Sequence, residues 1–158
     1  MKIDLPLLNS KPRSCGTCTK CCEGYLSSTI KGHQMKPGTP CYFLEQGVGC
    51  KDYVGRPAFP CKSFNCSWLE DKKIPDEYKP EVCGVIMRNA ELHGLKYVMF
   101  TSAPNDPSEK MIEWAKKYFD KKDMNFLYSI GESIFPNGTK DFVRLIRTHR
   151  DDFKIKKK

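Results

Sequence analysis

Hydrophobic and polar residues follow the most regular pattern in the second half of the chain. The segments VCGVIM (82–87) and LKYVMFTSA (95–103) predict two strands, with the turn-rich segment RNAELHG between them. NFLYSI (125–130) predicts a further strand. ESIF, which precedes the turn PNG, is a candidate to pair back on it.

Two helices are predicted from apolar residues at helical spacing. DPSEKMIEWAKKYF predicts the first helix, with Asp106 as N-cap, Pro107 at the first position and Glu109 closing a capping box. KDFVRLIRTHR predicts the second, with Thr139 as its cap. The inward-facing positions are Met111, Ile112, Ala115, Tyr118, Phe119, Phe142, Leu145 and Ile146.

The first half has no sustained helical or strand period. Residues 1–80 hold eight of the nine cysteines and eight of the eleven prolines. Such a segment buries too little apolar surface to fold without cross-links, and metal ligation supplies cross-links of this kind. We therefore predict an α+β protein, in which an irregular, metal-stapled, Cys-rich N-terminal half packs on a small strand-strand-helix-strand-helix layer. The expected parts are a Cys-rich region (1–80) and an α+β region (81–150), together one compact domain, and a basic tail (151–158).

The cellular compartment decides how the nine cysteines are interpreted. The N-terminus MKIDLPLLNSKPRS lacks the apolar region of a signal peptide, and no apolar run approaches a membrane span. We therefore expect a cytoplasmic protein without a membrane partner. Disulfides do not persist in a reducing cytosol, and an odd number of cysteines cannot pair fully. Metal ligation is thus favoured over a disulfide framework.

The formal charge of +8 suggests a nucleic acid or another acidic partner. However, eight thiolates that bind two dications add a net charge of −4 and lower this value to +4. Part of the remaining positive charge lies in the terminal KIKKK. The charge therefore supports a nucleic-acid partner only weakly.

Four cysteines occur within the eight residues CGTCTKCC (15–22). A two-residue spacer allows two thiolates to converge on one metal, and this spacer occurs twice in succession. The run suits zinc, which uses four Cys or Cys/His ligands in structural sites, and it suits an iron–sulfur cluster equally well. Thiolate ligands do not distinguish between these two metals.

The adjacent pair Cys21 and Cys22 raises a geometric problem, because neighbouring side chains point in different directions. Both cannot reach one tetrahedral metal without backbone strain. The pair therefore predicts a junction between two metal centres of four cysteines each. The rival is one cluster held by four of the eight cysteines, with the others buried or redox-active.

The motif CGTCTKCC resembles the CxxCxxCC signature of the YkgJ-type cysteine-cluster family, described as a zinc- or iron-chelating domain. The similarity continues through CYFL and GCKDYVGRPAFPCKSFNC, and it covers residues 15–66. Its matching positions there are Tyr53, Arg56, Pro57, Cys61 and Cys66. The resemblance implies chelation by Cys15, Cys18, Cys21, Cys22, Cys41, Cys50, Cys61 and Cys66. The family includes flagellin lysine N-methylases, but this chain has no room for their additional segment, so that activity is not carried over.

Several other residues are candidates for secondary roles. Arg56 is either a cofactor-binding guanidinium that stabilises the charge of the thiolates or a surface residue before a proline. Cys83 is expected to be a core residue in a strand. His33 is a possible substitute ligand, whereas His93 and His149 are expected to be solvated or structural.

The sequence therefore predicts a metal-binding protein with a structural or redox role. It contains no P-loop, GxSxG, HExxH or dinucleotide motif, and it assigns no reaction or catalytic residue. One alternative is a zinc-stabilised adaptor that binds nucleic acid or protein. Its weak support is the basic charge and the loop aromatics Tyr53, Phe59, Phe64 and Trp68. The other is a cluster-dependent, methylase-like enzyme that modifies protein, by analogy with the family.

Overall fold

The computed structural model describes residues 12–102 and 105–153, and it is built of both helices and strands, which confirms the predicted α+β class. The predictions for residues 1–11 and for residues 154–158 of the basic tail lie outside the described residues; residues 150–153 form a short helical turn. Among the described residues, no helix combines the length and apolar character needed to cross a bilayer.

The strands are β1 (Ser28–Ile30), β2 (His33–Met35), β3 (Leu44–Glu45), β4 (Gly49–Cys50), β5 (Val85–Leu92), β6 (Leu95–Ser102), β7 (Asn125–Ile130) and β8 (Ser133–Asn137). The α-helices are α1 (Ser67–Glu70), α2 (Pro80–Cys83), α3 (Glu109–Asp120) and α4 (Lys140–Thr148).

The second half forms a four-stranded sheet in the order β5-β6-β7-β8. The outer pairs are antiparallel and the central pair β6–β7 is parallel, so α3 serves as the crossover that a parallel pair requires. Alternate residues of the strands face opposite helices. Phe100 and Phe126 share a core with α3, whereas Tyr97 and Leu127 share a second core with α4.

The first strand of this sheet differs from its prediction. Val82 and Cys83 belong to α2 because Pro80 occupies the first turn of a helix and Gly84, at φ +71°, ends it. The strand then continues through the segment that was predicted as a turn. The reversal is confined to His93 and Gly94, both at positive φ, as a two-residue hairpin turn requires.

The predicted cap of α3 is wrong, whereas the cap of α4 is confirmed. Ser108 precedes α3, and its Oγ accepts a hydrogen bond from the backbone N–H of Met111 at 3.2 Å. Asp106 instead accepts from the N–H of Gly131 in the β7–β8 turn, at 3.0 Å. Thr139 accepts from the N–H of Phe142 at 3.3 Å, as predicted. The pairing of ESIF back on β7 is also confirmed.

The first half contains little regular structure beyond two small hairpins, β1–β2 and β3–β4. The β1–β2 hairpin carries a small cluster in which Ile30, Met35 and Cys41 are buried. The later part of this half, around Trp68, Ile74 and Tyr78, belongs to the same core as α3. The two predicted regions therefore share one core.

Asn125 joins three elements of the sheet layer. Its side-chain amide donates to the Lys96 carbonyl at 3.1 Å, and its carbonyl oxygen accepts from the N–H of Thr139 at 2.8 Å. The residue is 9% exposed. The start of β7 is thereby held to the start of β6 and to the cap of α4.

We expect Asn125→Ala to lower the free energy of unfolding by about 2–3 kcal/mol, because two largely buried backbone groups lose their partners. Urea denaturation at constant metal content measures the change. Asn89→Ala is the control, since Asn89 bonds Glu70 at an exposed site and should change stability by less than about 0.5 kcal/mol. Equal losses in the two variants would contradict the assigned role of Asn125.

Candidate metal centre

The segment CGTCTKCC folds as two consecutive turns. The N–H of Cys18 donates to the Cys15 carbonyl at 3.0 Å, and the N–H of Cys22 donates to the Thr19 carbonyl at 2.8 Å. A helical turn then spans Cys21–Tyr25. These turns bring the side chains of the segment within reach of the later loops.

Four cysteines line one small cavity and are called group A here: Cys15, Cys18, Cys21 and Cys66. The volume of this cavity is about 30 Å³. Its other walls are mostly apolar and are formed by Phe64, Trp68, Leu69, Lys79 and Pro80. Burial raises the pKa of Cys21, and the neighbouring thiols of Cys66, Cys22, Cys15 and Cys18 raise it further.

The other four cysteines of the predicted set are called group B: Cys22, Cys41 and Cys61 share the cluster of Ile30 and Met35, and Cys50 pairs with Leu44 of the same cluster. Burial raises the pKa of Cys22 to about 11, and Cys41, Cys50 and Cys61 contribute to the rise. The backbone supports this grouping. The N–H of Cys41 donates to the Cys22 carbonyl at 2.7 Å, and Leu44, the antiparallel partner of Cys50, donates to the Cys41 carbonyl at 3.0 Å.

The adjacent pair divides between the groups, as the geometry of neighbouring side chains predicts. Cys21 packs against the main core, whereas Cys22 packs against the cluster of Ile30, Met35 and Cys41. None of the nine cysteines is in a disulfide. The structure thus brings the eight predicted ligands together as two sets of four. That each set binds a metal remains a prediction.

The thiols do not form closed coordination shells as they stand. Within residues 12–102 and 105–153, no group of three or more His, Cys, Asp or Glu side chains is arranged to hold a metal ion. Each group nevertheless supplies four soft donors in a largely apolar setting, the donor set of zinc and of iron–sulfur clusters. A bound cation would favour the thiolate form, opposing the effect of burial. Shell closure would require movement of the cysteine side chains.

Arg56 lies near both groups. Burial is the largest influence on Cys15 and Cys61 and raises the pKa of each, while the Arg56 guanidinium lowers both. The guanidinium carbon is 3.6 Å from the centre of the Tyr53 ring. Among the described residues, the buried Nε of Arg56 has no hydrogen-bond partner. A buried donor of this kind is suited to an anion.

Cys83 was expected in a strand, but it is the last residue of α2. It is partly buried and packs against the main core, as expected, and its Sγ lies 3.5 Å from the Val85 carbonyl. Burial raises its pKa, with small contributions from Cys18 and Cys66. Cys83 is therefore a neighbour of group A, which its position in the sequence did not indicate.

Each histidine is engaged in ring or ion-pair contacts of its own. His33 stacks on Tyr42 with ring centres 4.0 Å apart. His93 and His149 have ring centres 5.0 Å apart, and Nδ1 of His149 lies 3.1 Å from a carboxylate oxygen of Asp152. These contacts favour structural roles over metal ligation.

Arg13 positions group A and was not identified from the sequence. Its guanidinium donates to the carbonyls of Trp68 at 2.6 Å and Ile74 at 2.7 Å, and its carbon lies 4.4 Å from the Trp68 ring centre. Further bonds reach the Asp71 carbonyl and a carboxylate oxygen of Asp76. The chain two residues before Cys15 is thereby fixed to the segment that follows Cys66. The sequence offered no signal, because the partners are mostly backbone carbonyls.

Gly24 allows the turn that carries Cys22 to approach the β2 hairpin closely. Its φ is +94°, and a methyl group at this position would overlap the Lys36 carbonyl oxygen. The close approach lies beside the hydrogen bond that links Cys22 to Cys41. Glycine is therefore required here for both conformation and space.

We expect Gly24→Ala to lower the free energy of unfolding by more than about 2 kcal/mol, through strain at positive φ and the backbone overlap. Gly32→Ala is the matched control. Gly32 also has positive φ, at +83°, but a methyl group there would contact nothing within 4 Å. The difference between the two variants in urea denaturation isolates the overlap. If the two losses are equal, the close approach at Gly24 does not contribute.

Comparison with known proteins adds no relative: no family model, no curated protein and no solved structure matches this chain. The resemblance of residues 15–66 to the YkgJ-type cysteine-cluster family therefore remains a prediction.

Proposed function

We propose that this protein is a metal-binding cysteine-cluster protein that binds zinc or an iron–sulfur cluster at two centres, with a structural or redox role. One centre uses group A and the other uses group B. The observation that carries the proposal is the division at the adjacent pair: Cys21 lines one cavity with Cys15, Cys18 and Cys66, whereas Cys22 packs in a separate cluster with Cys41 and Cys61. A membership in the YkgJ-type family is part of the same proposal.

Group A supplies the four thiolates that one zinc ion or one [4Fe–4S] cluster requires. One zinc ion with four thiolates would carry a charge of about −2, as four thiolate charges are offset by one dication. Lys79, which lines the cavity, and Arg56, whose buried Nε has no partner in the described chain, are the proposed counter-charges, since both lower the pKa of Cys15 against the larger effect of burial.

Bound metal would supply the cross-links that the loop-rich half lacks. This chain's own residues hold the donors in reach through the turns of CGTCTKCC and the Cys41–Cys22 backbone hydrogen bond. The absence of disulfides among nine cysteines is compatible with a reducing compartment, and we propose a cytoplasmic location.

A second candidate function is an adaptor that binds nucleic acid. The feature that favours it is a shallow groove along α4, lined by Lys140, Arg144 and Arg147 at helical spacing. Its lining residues include no carboxylate. Binding through these cations would weaken steeply with salt, so salt-dependent retention on nucleic acid tests this alternative. The methylase-like enzyme remains an untested prediction.

Single replacement of the adjacent cysteines tests the two-centre proposal. We expect wild-type protein, purified without oxygen, to contain two metal centres per chain. Cys21→Ser and Cys22→Ser should each lose mainly one centre, because each removes one of four ligands from a different set. Elemental analysis counts zinc and iron, and an iron–sulfur protein would in addition be brown.

Cys83→Ser is the matched control, because this residue is a partly buried cysteine outside both sets. It should retain both centres. Full metal content in either Cys21→Ser or Cys22→Ser would show that the replaced cysteine is not a ligand. Wild-type protein without zinc or iron would overturn the proposed function itself.

Metal removal should affect the two halves differently. We expect strong chelation, or removal of iron under oxygen, to abolish the protease resistance of residues 12–66, because their small clusters cannot replace the metal cross-links. The β5–β8 sheet should retain residual secondary structure, measured by circular dichroism. Equal protease resistance with and without metal would contradict a metal-dependent fold.

A further inference from the structure

Groups A and B have different surroundings. Cys66 is 6% exposed and belongs to the main core, and Cys21 packs against the same core. This core also contains the inner faces of α3 and of the sheet. Loss of group A geometry would therefore disturb the largest buried cluster of the described chain.

The chain beside Cys15, the most exposed cysteine of group A, is also held in place. Cys15 is exposed, but the adjoining chain is held by Arg13, whose side chain is 16% exposed and bonds to backbone carbonyls on the far side of Cys66. The hydrogen bond from Cys18 to the Cys15 carbonyl fixes the other side. Release of a ligand from group A would thus require this guanidinium network to move.

Group B rests on much less structure. Its buried support is the small cluster of Ile30, Met35 and Cys41, and its nearest strands are only two or three residues long. Regions with few buried contacts open locally at low free-energy cost. Ligands in such a region exchange more readily than ligands fixed in a core.

Five of the nine large apolar side chains that are exposed in the described chain lie in the loops of group B. Tyr42 follows Cys41 directly and is 67% exposed, and Phe59 precedes Cys61 by two residues and is 77% exposed. The other exposed apolar side chains of these loops are Val48, Tyr53 and Val54. Their exposure leaves the region around group B open to an incoming molecule.

We infer that the two centres have different roles: group A is a structural metal site, and group B is an exchangeable one that passes its metal to an acceptor with thiolate or nitrogen ligands. The inference rests on the proposed function. Each bond from the metal to a cysteine sulfur would be replaced by a bond from the metal to an acceptor ligand, so the metal would leave as its dication and no electron would be transferred. The freed sulfurs would take protons from the thiols of the acceptor or from solvent.

Release of zinc to a coloured chelator tests the inference. Protein loaded with two zinc ions per chain is mixed with excess chelator, and the released zinc is followed by absorbance. We expect two phases of one equivalent each, with the first at least about tenfold faster. Cys50→Ser should abolish the fast phase and leave the slow one.

A second variant tests the assignment without removing a ligand. Arg13→Gln should accelerate the slow phase by about tenfold or more, because charge-assisted hydrogen bonds that hold the chain before Cys15 are lost, and it should leave the fast phase unchanged. Arg88→Gln is the matched control, since Arg88 contacts Met99 within the sheet. It should change neither phase.

The outcomes separate the inference from the proposed function. Release of both equivalents at one rate, or loss of the slow phase in Cys50→Ser, would overturn the division of roles while leaving two zinc centres in place. An effect of Arg13→Gln confined to the fast phase would do the same. Failure of the wild-type chain to bind zinc would overturn the inference and would count against zinc as the metal of the proposed function.

Discussion

Adjacent side chains on a helical turn diverge by about 100°, and this constraint organises the cysteine-rich half of the protein. Cys21 and Cys22 occupy such a turn, so their sulfurs lie near different neighbours. The later loops return to one side or the other. Cys22, Cys41 and Cys61 share the cluster of Ile30 and Met35, whereas Cys21 and Cys66 line the group A cavity. The chain between residues 22 and 66 therefore folds so that each later cysteine packs on the side of either Cys21 or Cys22.

The point at which the two halves join lies on the group A side. Tyr25, Trp68 and Tyr78 share a core with α3 and the sheet, and Arg13 binds the carbonyls that follow α1. Group B rests on a smaller cluster with three buried residues, and the Lys31–Asp52 ion pair that links the β1–β2 hairpin to the segment after Cys50 is partly exposed. Group B is therefore surrounded by fewer buried side chains than group A, and this difference is the basis for assigning them different roles.

Without a bound cation, burial and neighbouring sulfurs disfavour the thiolate form of several cysteines. Burial raises the pKa of Cys21, Cys22 and Cys66, and neighbouring thiols add to the effect in each case. A dication would reverse the sign of this local field. Arg56, with its buried and unpaired Nε, already opposes it near Cys15 and Cys61. Negative charge on sulfur would thus be balanced partly by the protein and mainly by a bound cation.

The features of the fold that depend on neighbouring residues could be predicted from the sequence. Periodicity was sufficient for the α+β class, for α3 and α4 and for the Thr139 cap, because each follows from residues within a few positions of one another. The divergence of Cys21 and Cys22 also followed from local geometry.

Other features depend on contacts between residues that are distant in the sequence. Asp106 has the side chain of an N-cap, but its carboxylate accepts a hydrogen bond from the N–H of Gly131, which lies 25 residues later. Arg13 acts on carbonyls more than fifty residues away, and the assignment of Cys66 to group A depends on a core built by both halves. Such long-range contacts leave no periodic trace, because the chain between the partners can take many paths.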